Sequence, residues 1–169
     1  MKIHPVKERT DALVAVLTDI WEASVRATHT FLTEADIAAL REYLPDALRA
    51  VEHLTVLLDD SGRPAGFCGV DGQRLEMLFL HPDMIGKGAG RMLVQHAFDE
   101  YRVTEVCVNE QNPNAAAFYR RMGFVLDHRT KLDEQGRPFP LLYLKRNCPQ
   151  TRTENRVSFR CPHAGNVVQ

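Results

Sequence analysis

The residues most able to do chemistry lie in the stretch Leu78-Phe79-Leu80-His81-Pro82-Asp83-Met84-Ile85-Gly86-Lys87-Gly88-Ala89-Gly90-Arg91 of this 169-residue chain. An apolar run passes through a proline turn into glycines spaced by one, and then into residues that favour a helix. Glycine permits positive φ and a close approach of the main chain to a ligand. Successive N–H groups at a helix start, backed by the helix dipole, form a site for phosphate oxygens. The stretch is not a Walker A loop, because Lys87 is followed by Gly88 where that loop needs Ser or Thr. It is not the dinucleotide fingerprint either, since its glycines run G-x-G-x-G and follow a series of strands. The chemistry it suggests is the holding of a diphosphate, with a loop that merely turns the chain as the alternative. Lys87 and Arg91 would either lend charge to phosphates or stand as solvated helix-end charges.

The elements that must position this stretch can be read from periodicity. A short strand at 3–6 precedes a helix over 11–26, marked by Leu13, Val16, Leu17, Ile20, Trp21 and Val25. Thr33 is an N-cap with Asp36 three residues on, and the helix it starts carries Ile37, Leu40 and Leu44 until Pro45 ends or kinks it. Strands at 53–59, 65–70 and 73–81, joined by Asp60–Pro64 and Asp71-Gly72, predict an antiparallel meander. A helix then leaves the glycine stretch with Met92, Leu93, His96, Ala97 and Tyr101 on one face. A strand at 103–108, a short helix at 113–122 closed by Gly123, and a hairpin of 124–132 with 140–145 complete the order. The result is an α/β (α+β) domain over 1–148, a mixed and mostly antiparallel sheet of about seven strands flanked by about four helices.

Composition narrows the function classes. With 44% hydrophobic and 25% charged residues the chain is an ordinary globular domain. Residues 149–169 lack periodicity and carry three arginines against Glu154, a charge of +2, so they read as a tail outside the core fold, with Val157–Phe159 at most an edge strand. The remaining 18 basic and 21 acidic residues leave 1–148 at −3, which offers no footprint for nucleic acid or an anionic membrane. No apolar run approaches a membrane span, and Met1–Pro5 lead into no apolar signal segment, which implies a cytoplasmic protein. Cys68 and Cys107 lie in apolar runs as buried thiols, while Cys148 and Cys161, near His163, lack the C-x-x-C pairing of a zinc site. A Cys148–Cys161 disulfide would be out of place in a reducing compartment.

A second block, Asn109-Glu110-Gln111-Asn112-Pro113-Asn114-Ala115-Ala116-Ala117-Phe118-Tyr119-Arg120-Arg121-Met122-Gly123-Phe124, follows the strand after the glycine helix. Together the two blocks resemble the GNAT superfamily of acyl-CoA-dependent N-acetyltransferases, whose later signature is matched by Asn112, Ala115, Phe118, Tyr119, Gly123 and Phe124. The resemblance spans residues 3–146 and is closer still to small bacterial members of the YjaB type, through Trp21–Leu32 and Asp133–Leu142.

That resemblance implies a GNAT-like fold, acetyl-CoA as cosubstrate and no metal. Gly86, Lys87, Gly88, Ala89, Gly90 and Arg91 would receive the pyrophosphate. Main-chain groups of Leu78, Phe79 and Leu80 would receive pantetheine and the acetyl oxygen. Asn112 would contact the cofactor, cap the short helix, or both. Tyr119, a phenol with a reference pKa of about 10, is the implied general acid. The base is Glu76 in the fourth strand or His29 in the loop between the first helices, against plainer roles as a strand charge and a hydrogen-bonded loop residue. Cys107 stands where relatives that acetylate protein N-termini carry glutamate, which argues against that subclass. Ile85 departs from the Arg or Gln usual at the first loop position. The implied reaction is direct acetyl transfer to a primary amine, on a small molecule or a protein lysine, admitted where the fourth and fifth strands splay. The alternative is a catalytically weak acyl-CoA-binding regulatory module. No nucleic-acid or membrane partner is implied, and a homodimer is left open.

Overall fold

The computed structural model describes residues 1–134 and 136–147; the tail at 149–169, with Cys148, Cys161 and His163, lies outside the described residues. The order is β1 (Lys2–Val6), α1 (Asp11–Thr28), α2 (Glu34–Ala50), β2 (His53–Leu58), β3 (Pro64–Asp71), β4 (Arg74–Leu80), a single 3-10 turn (Pro82–Met84), α3 (Ala89–Tyr101), β5 (Glu105–Asn109), α4 (Pro113–Arg121), β6 (Val125–Thr130) and β7 (Leu141–Lys145). The strands form one seven-stranded sheet in the order β1-β2-β3-β4-β5-β7-β6, antiparallel throughout except for β4 against β5. This is the expected mixed, mostly antiparallel architecture.

The helices start where local chemistry tells them to. The Thr10 hydroxyl accepts from Leu13 N, and Thr33 and Asp36 close a full capping box. Pro45 neither ends nor divides α2, which continues to Ala50. A helical proline costs about 3 kcal/mol, but Leu40, Leu44, Ala47 and Leu48 all bury on one side of α2, and each buried leucine contributes about 1.5–3 kcal/mol. Burial outweighs the proline. The buried face of α3 is likewise turned from the expected one: Ala89, Gly90, Leu93, Val94, Ala97 and Phe98 are buried, while Met92, His96 and Tyr101 lie at its margin. Sparse apolar residues left the angular position of that face underdetermined.

Two cores hold the layers together. One lies under α1 and α2 and draws its buried residues from α1 through β4. The other lies under α3 and α4 and runs across the sheet from β2 to β7. Leu75 belongs to the second core, yet Met77 and Phe79, at strand spacing from it, belong to the first. The register explains the switch: Val70 pairs with Leu75 and Gly69 with Met77, so Glu76 is the extra residue of a β-bulge.

Candidate active site

The last residues of β4 lead through Pro82–Met84 into Gly86 at φ +78 and Gly88 at φ +83. A Cβ at either position would meet nothing within 4 Å, so the backbone angle, and not crowding, calls for glycine there. Gly88 is the N-cap of α3 and offers no side-chain cap, and the first turn holds no acidic residue. Among the described residues the other α-helices, α1, α2 and α4, are each capped by a side chain, from Thr10, Thr33 and Asn112. The α3 start therefore presents N–H groups and a positive dipole end with no side-chain cap and no acidic residue in its own first turn.

These groups open on a cavity of about 530 Å³. Leu78, Phe79, Leu80, Gly86, Gly88, Ala89, Gly90 and Arg91 line one side, and Asn112 and Tyr119 with Thr28 and His29 line the rest. Lys87 and Glu76 are not part of that lining. Ile85 lines the cavity and is half exposed. Met84, Phe118 and Thr28 also line it; Phe118 is a matched position of the family signature, while Met84 and Thr28 were given no role from sequence.

On the far wall, Asn112 Oδ1 accepts from Ala115 N at 3.1 Å and caps α4, with Pro113 following. Two turns on, the Tyr119 side chain is 2% exposed. Its ring stands edge-on to Phe118 at 5.1 Å and to Phe124 at 5.8 Å. Burial raises the phenol well above its ordinary range, so it is neutral at any physiological pH. His29 is 4% exposed, with Nδ1 at 2.8 Å from Thr28 Oγ1. That hydroxyl donates to Ser24 O, so it accepts from Nδ1 of His29. Asn109, which the sequence reading passed over, is fully buried at the end of β5. Its Oδ1 accepts from Gln111 N, and its Nδ2 has no partner among the described residues.

Beyond the phenol the sheet forks. Only Arg74↔Glu105 and Leu75↔Val106 pair across β4 and β5. The next residues up, Glu76 at the bulge and Cys107, sit at the crotch. Burial pushes the Glu76 carboxyl up to about 7, against the opposing pull of Arg74, whose Nη1 lies 3.7 Å away. Burial also lifts the Cys107 thiol to about 12, which makes it unreactive. Arg74 Nη1 lies 3.4 Å from Glu134 Oε1, and the Tyr143 hydroxyl donates to the same oxygen at 3.3 Å. The ring of Phe31, in the α1–α2 connection, lies 5.4 Å from His29 and 6.0 Å from Phe139 in the β6–β7 connection.

Residues 16–140 match the family model described as an acetyltransferase (GNAT) domain. The peptidyl-lysine N-acetyltransferase YjaB of Salmonella typhimurium is 42% identical over 128 residues, 76% of this chain and 88% of that protein. The solution structure of apo-form YjaB from Escherichia coli matches with a TM-score of 0.76 at 36% identity, covering 86% of this chain and 97% of that one. The PaiA N-acetyltransferase of Thermoplasma acidophilum, solved in complex with coenzyme A, shares the fold at a TM-score of 0.63 and 19% identity, covering 86% and 99%. Among the described residues no group of three or more His, Cys, Asp and Glu could hold a metal, and no helix is long and apolar enough to cross a membrane.

Proposed function

This chain belongs to the GNAT acetyltransferase family, and on that footing we propose that it carries the acetyl group of acetyl-CoA directly to the side-chain amine of a peptidyl lysine. The observation that carries the reading is the β4–α3 junction: an uncapped helix start and two left-handed glycines opening on a cavity that reaches a buried phenol. The residues fit the cosubstrate. N–H groups from Gly88 to Arg91 would hold the pyrophosphate, with Arg91 adding charge from the cavity wall. Because these contacts are main-chain, Ile85 in place of Arg or Gln weakens the grip without removing it. Leu78–Leu80 keep the β4 edge that β5 has left, and their peptide groups are available to the pantetheine amides and the acetyl oxygen.

Acetyl-CoA supplies an activated thioester, and the side chains manage the protons around it. The acceptor arrives as an ammonium with a reference pKa of about 10.4 and must lose a proton. Glu76, with its carboxyl near neutral, is the proposed base, since a base works best when its pKa lies near the operating pH. His29 is a second reading, favoured by its place in the cavity lining. Tyr119 supplies a hydrogen bond and finally a proton to the departing thiolate. Its raised pKa does not disqualify it, because the burial that raises the phenol raises a thiol beside it too.

The acceptor class rests on the Salmonella relative, which is named for peptidyl lysine. The test is titration calorimetry with coenzyme A, then thiol release from acetyl-CoA against a panel of lysine peptides and small amines. Binding with lysine-dependent release is expected. Absence of CoA binding overturns the reading, and binding without turnover on any amine makes the chain an acyl-CoA-binding regulatory module instead.

A further inference from the structure

The cavity at the β4–α3 junction is walled on its other side by α4, through Asn114, Ala117, Phe118 and Arg121, positions that fall on one helix face. The two helices abut where a Cβ on Gly90 would stand 3.4 Å from the Phe118 ring. Arg121 is the last residue of α4, one turn beyond Phe118, or about 4.5 Å of rise. Arg91 lines the same cavity from the first turn of α3.

The charge in this lining is of one sign. Among the described residues it includes Arg91 and Arg121 and no carboxylate. Arginines elsewhere at the surface find carboxylates, as Arg41 finds Asp19 at 2.7 Å and Arg129 finds Glu110 at 2.6 Å. Arg91 and Arg121 form no ion pair among the described residues. A cation in the last helical turn also complements the helix dipole, and Arg120 serves that end as well as Arg121. Arg121 lines the cavity, however, and Arg120 does not. A cleft lined by cations alone, beside an uncapped helix start, concentrates anions.

That anion needs more than one centre. The α3 N–H groups and Arg91 account for a diphosphate, which leaves Arg121 across the groove and one turn along α4. Coenzyme A carries a third phosphate on the 3′ oxygen of its ribose, one sugar removed from the diphosphate. The planar guanidinium fork suits such a terminal phosphate.

We propose that Arg121 binds the ribose 3′-phosphate of coenzyme A, so that the protein distinguishes coenzyme A from its 3′-dephospho form. The inference rests on the acetyl-transfer reading above and adds to it a residue outside the matched positions of the family signature. Arg121 takes no part in bond making, so its loss acts on the grip of the donor and spares turnover at saturation.

The test is titration calorimetry of the full chain with coenzyme A and with 3′-dephospho-coenzyme A. The wild type should prefer coenzyme A by about tenfold, the worth of one hydrogen bond to a charged group. Arg121→Gln should lower coenzyme A affinity to that of the dephospho form, whose own affinity should not move. Arg121→Lys keeps the charge without the fork and should restore part of the preference. Arg120→Gln removes a like charge from the same helix end and should leave the preference intact. The wild-type preference should shrink as ionic strength rises. In turnover, Arg121→Gln should raise KM for acetyl-CoA by about tenfold with kcat held. Equal wild-type affinity for the two nucleotides, a preference that survives Arg121→Gln, or one lost equally in Arg120→Gln overturns the proposal and leaves acetyl transfer standing. Equal losses for both nucleotides in Arg121→Gln overturn it too, by placing Arg121 on the diphosphate. Failure of the wild type to bind either nucleotide would instead strike the underlying reading.

Discussion

The two ends of the site are built by different means. At the end we propose for the donor, the lining comes from one stretch of chain between Leu78 and Arg91 and includes an uncapped helix start. At the acceptor end Glu76, Cys107, Glu134 and Tyr143 come from β4, β5, the β6–β7 connection and β7, and meet only because the sheet places β7 between β5 and β6. A backbone site tolerates side-chain change, as at Ile85, but depends on a few φ angles. A side-chain site tolerates backbone change but depends on each group's pKa. Substitutions at the two ends should therefore fail in different ways.

The largest effect is expected where the ends meet. Tyr119→Phe removes the hydroxyl alone and leaves its ring contacts with Phe118 and Phe124 in place. Loss of a general acid lowers kcat by roughly 10²-fold or more, and coenzyme A affinity by calorimetry should stay within a factor of two or so. An equal loss in affinity would show that the phenol belongs to the donor end and break the distinction.

Glu76→Gln comes next and should lower kcat by a similar or smaller factor, again roughly 10²-fold. Its mark is the pH profile. The wild-type rate should rise as pH passes about 7 and the carboxylate forms, and Glu76→Gln should lose that inflection. Survival of the inflection would move the base to His29. Stability should run the opposite way. The folded pKa is raised from 4.5 to about 7, so the folded state binds this proton more tightly than the unfolded one. The stabilising contribution is present below 4.5 and is lost as pH rises through about 7. A shift of that size is worth about 3 kcal/mol, so Glu76→Gln should melt higher than wild type at pH 8 and level with it near pH 4.

How far each end was legible from sequence follows from the same division. The β4–α3 junction was readable because a turn, two left-handed glycines and a helix start are consecutive, and consecutive residues have fixed relations. Elements with strong local signals were readable too, among them the Thr33–Asp36 box, the Asp71-Gly72 turn and the Gly123 stop. That α2 does not end at Pro45 could not be read because a local cost met a tertiary gain that no window of sequence contains. Glu134, Arg74 and Tyr143 went unnoticed for the same reason: Arg74 and Glu134 are 60 residues apart and form an ion pair only across the folded hairpin. The bulge that leaves Glu76 as the extra residue is likewise a matter of register.

A smaller effect is expected from Gly88→Ala. The added Cβ meets nothing within 4 Å, so the cost is the backbone angle alone, about 1–2 kcal/mol for a non-glycine residue held at positive φ. Some of that strain should be relieved by a shift of the α3 start, weakening coenzyme A binding several-fold with kcat at saturation preserved. A fall in kcat with unchanged affinity would mean that the loop orients the thioester and does not simply hold its phosphates.

The smallest effect, and the one that sharpens the boundary most, concerns Asn112. Its Oδ1 is committed to Ala115 N, so its first task is to start the helix that carries Tyr119. Removing a cap costs about 1 kcal/mol, which for a domain of this size lowers Tm by about 2–4 °C. Asn112→Ala should show that drop by calorimetry, with a modest fall in kcat because the first turn of α4 frays two turns before the phenol. Asn112→Ser keeps a capping oxygen but has no side-chain N–H, so it separates the two duties that one carboxamide can perform. If serine returns both Tm and coenzyme A affinity to the wild-type level, Asn112 serves the site only through α4. If it returns Tm and leaves affinity low, the Asn112 nitrogen touches the donor, and a further side chain must be added to the donor's end of the site.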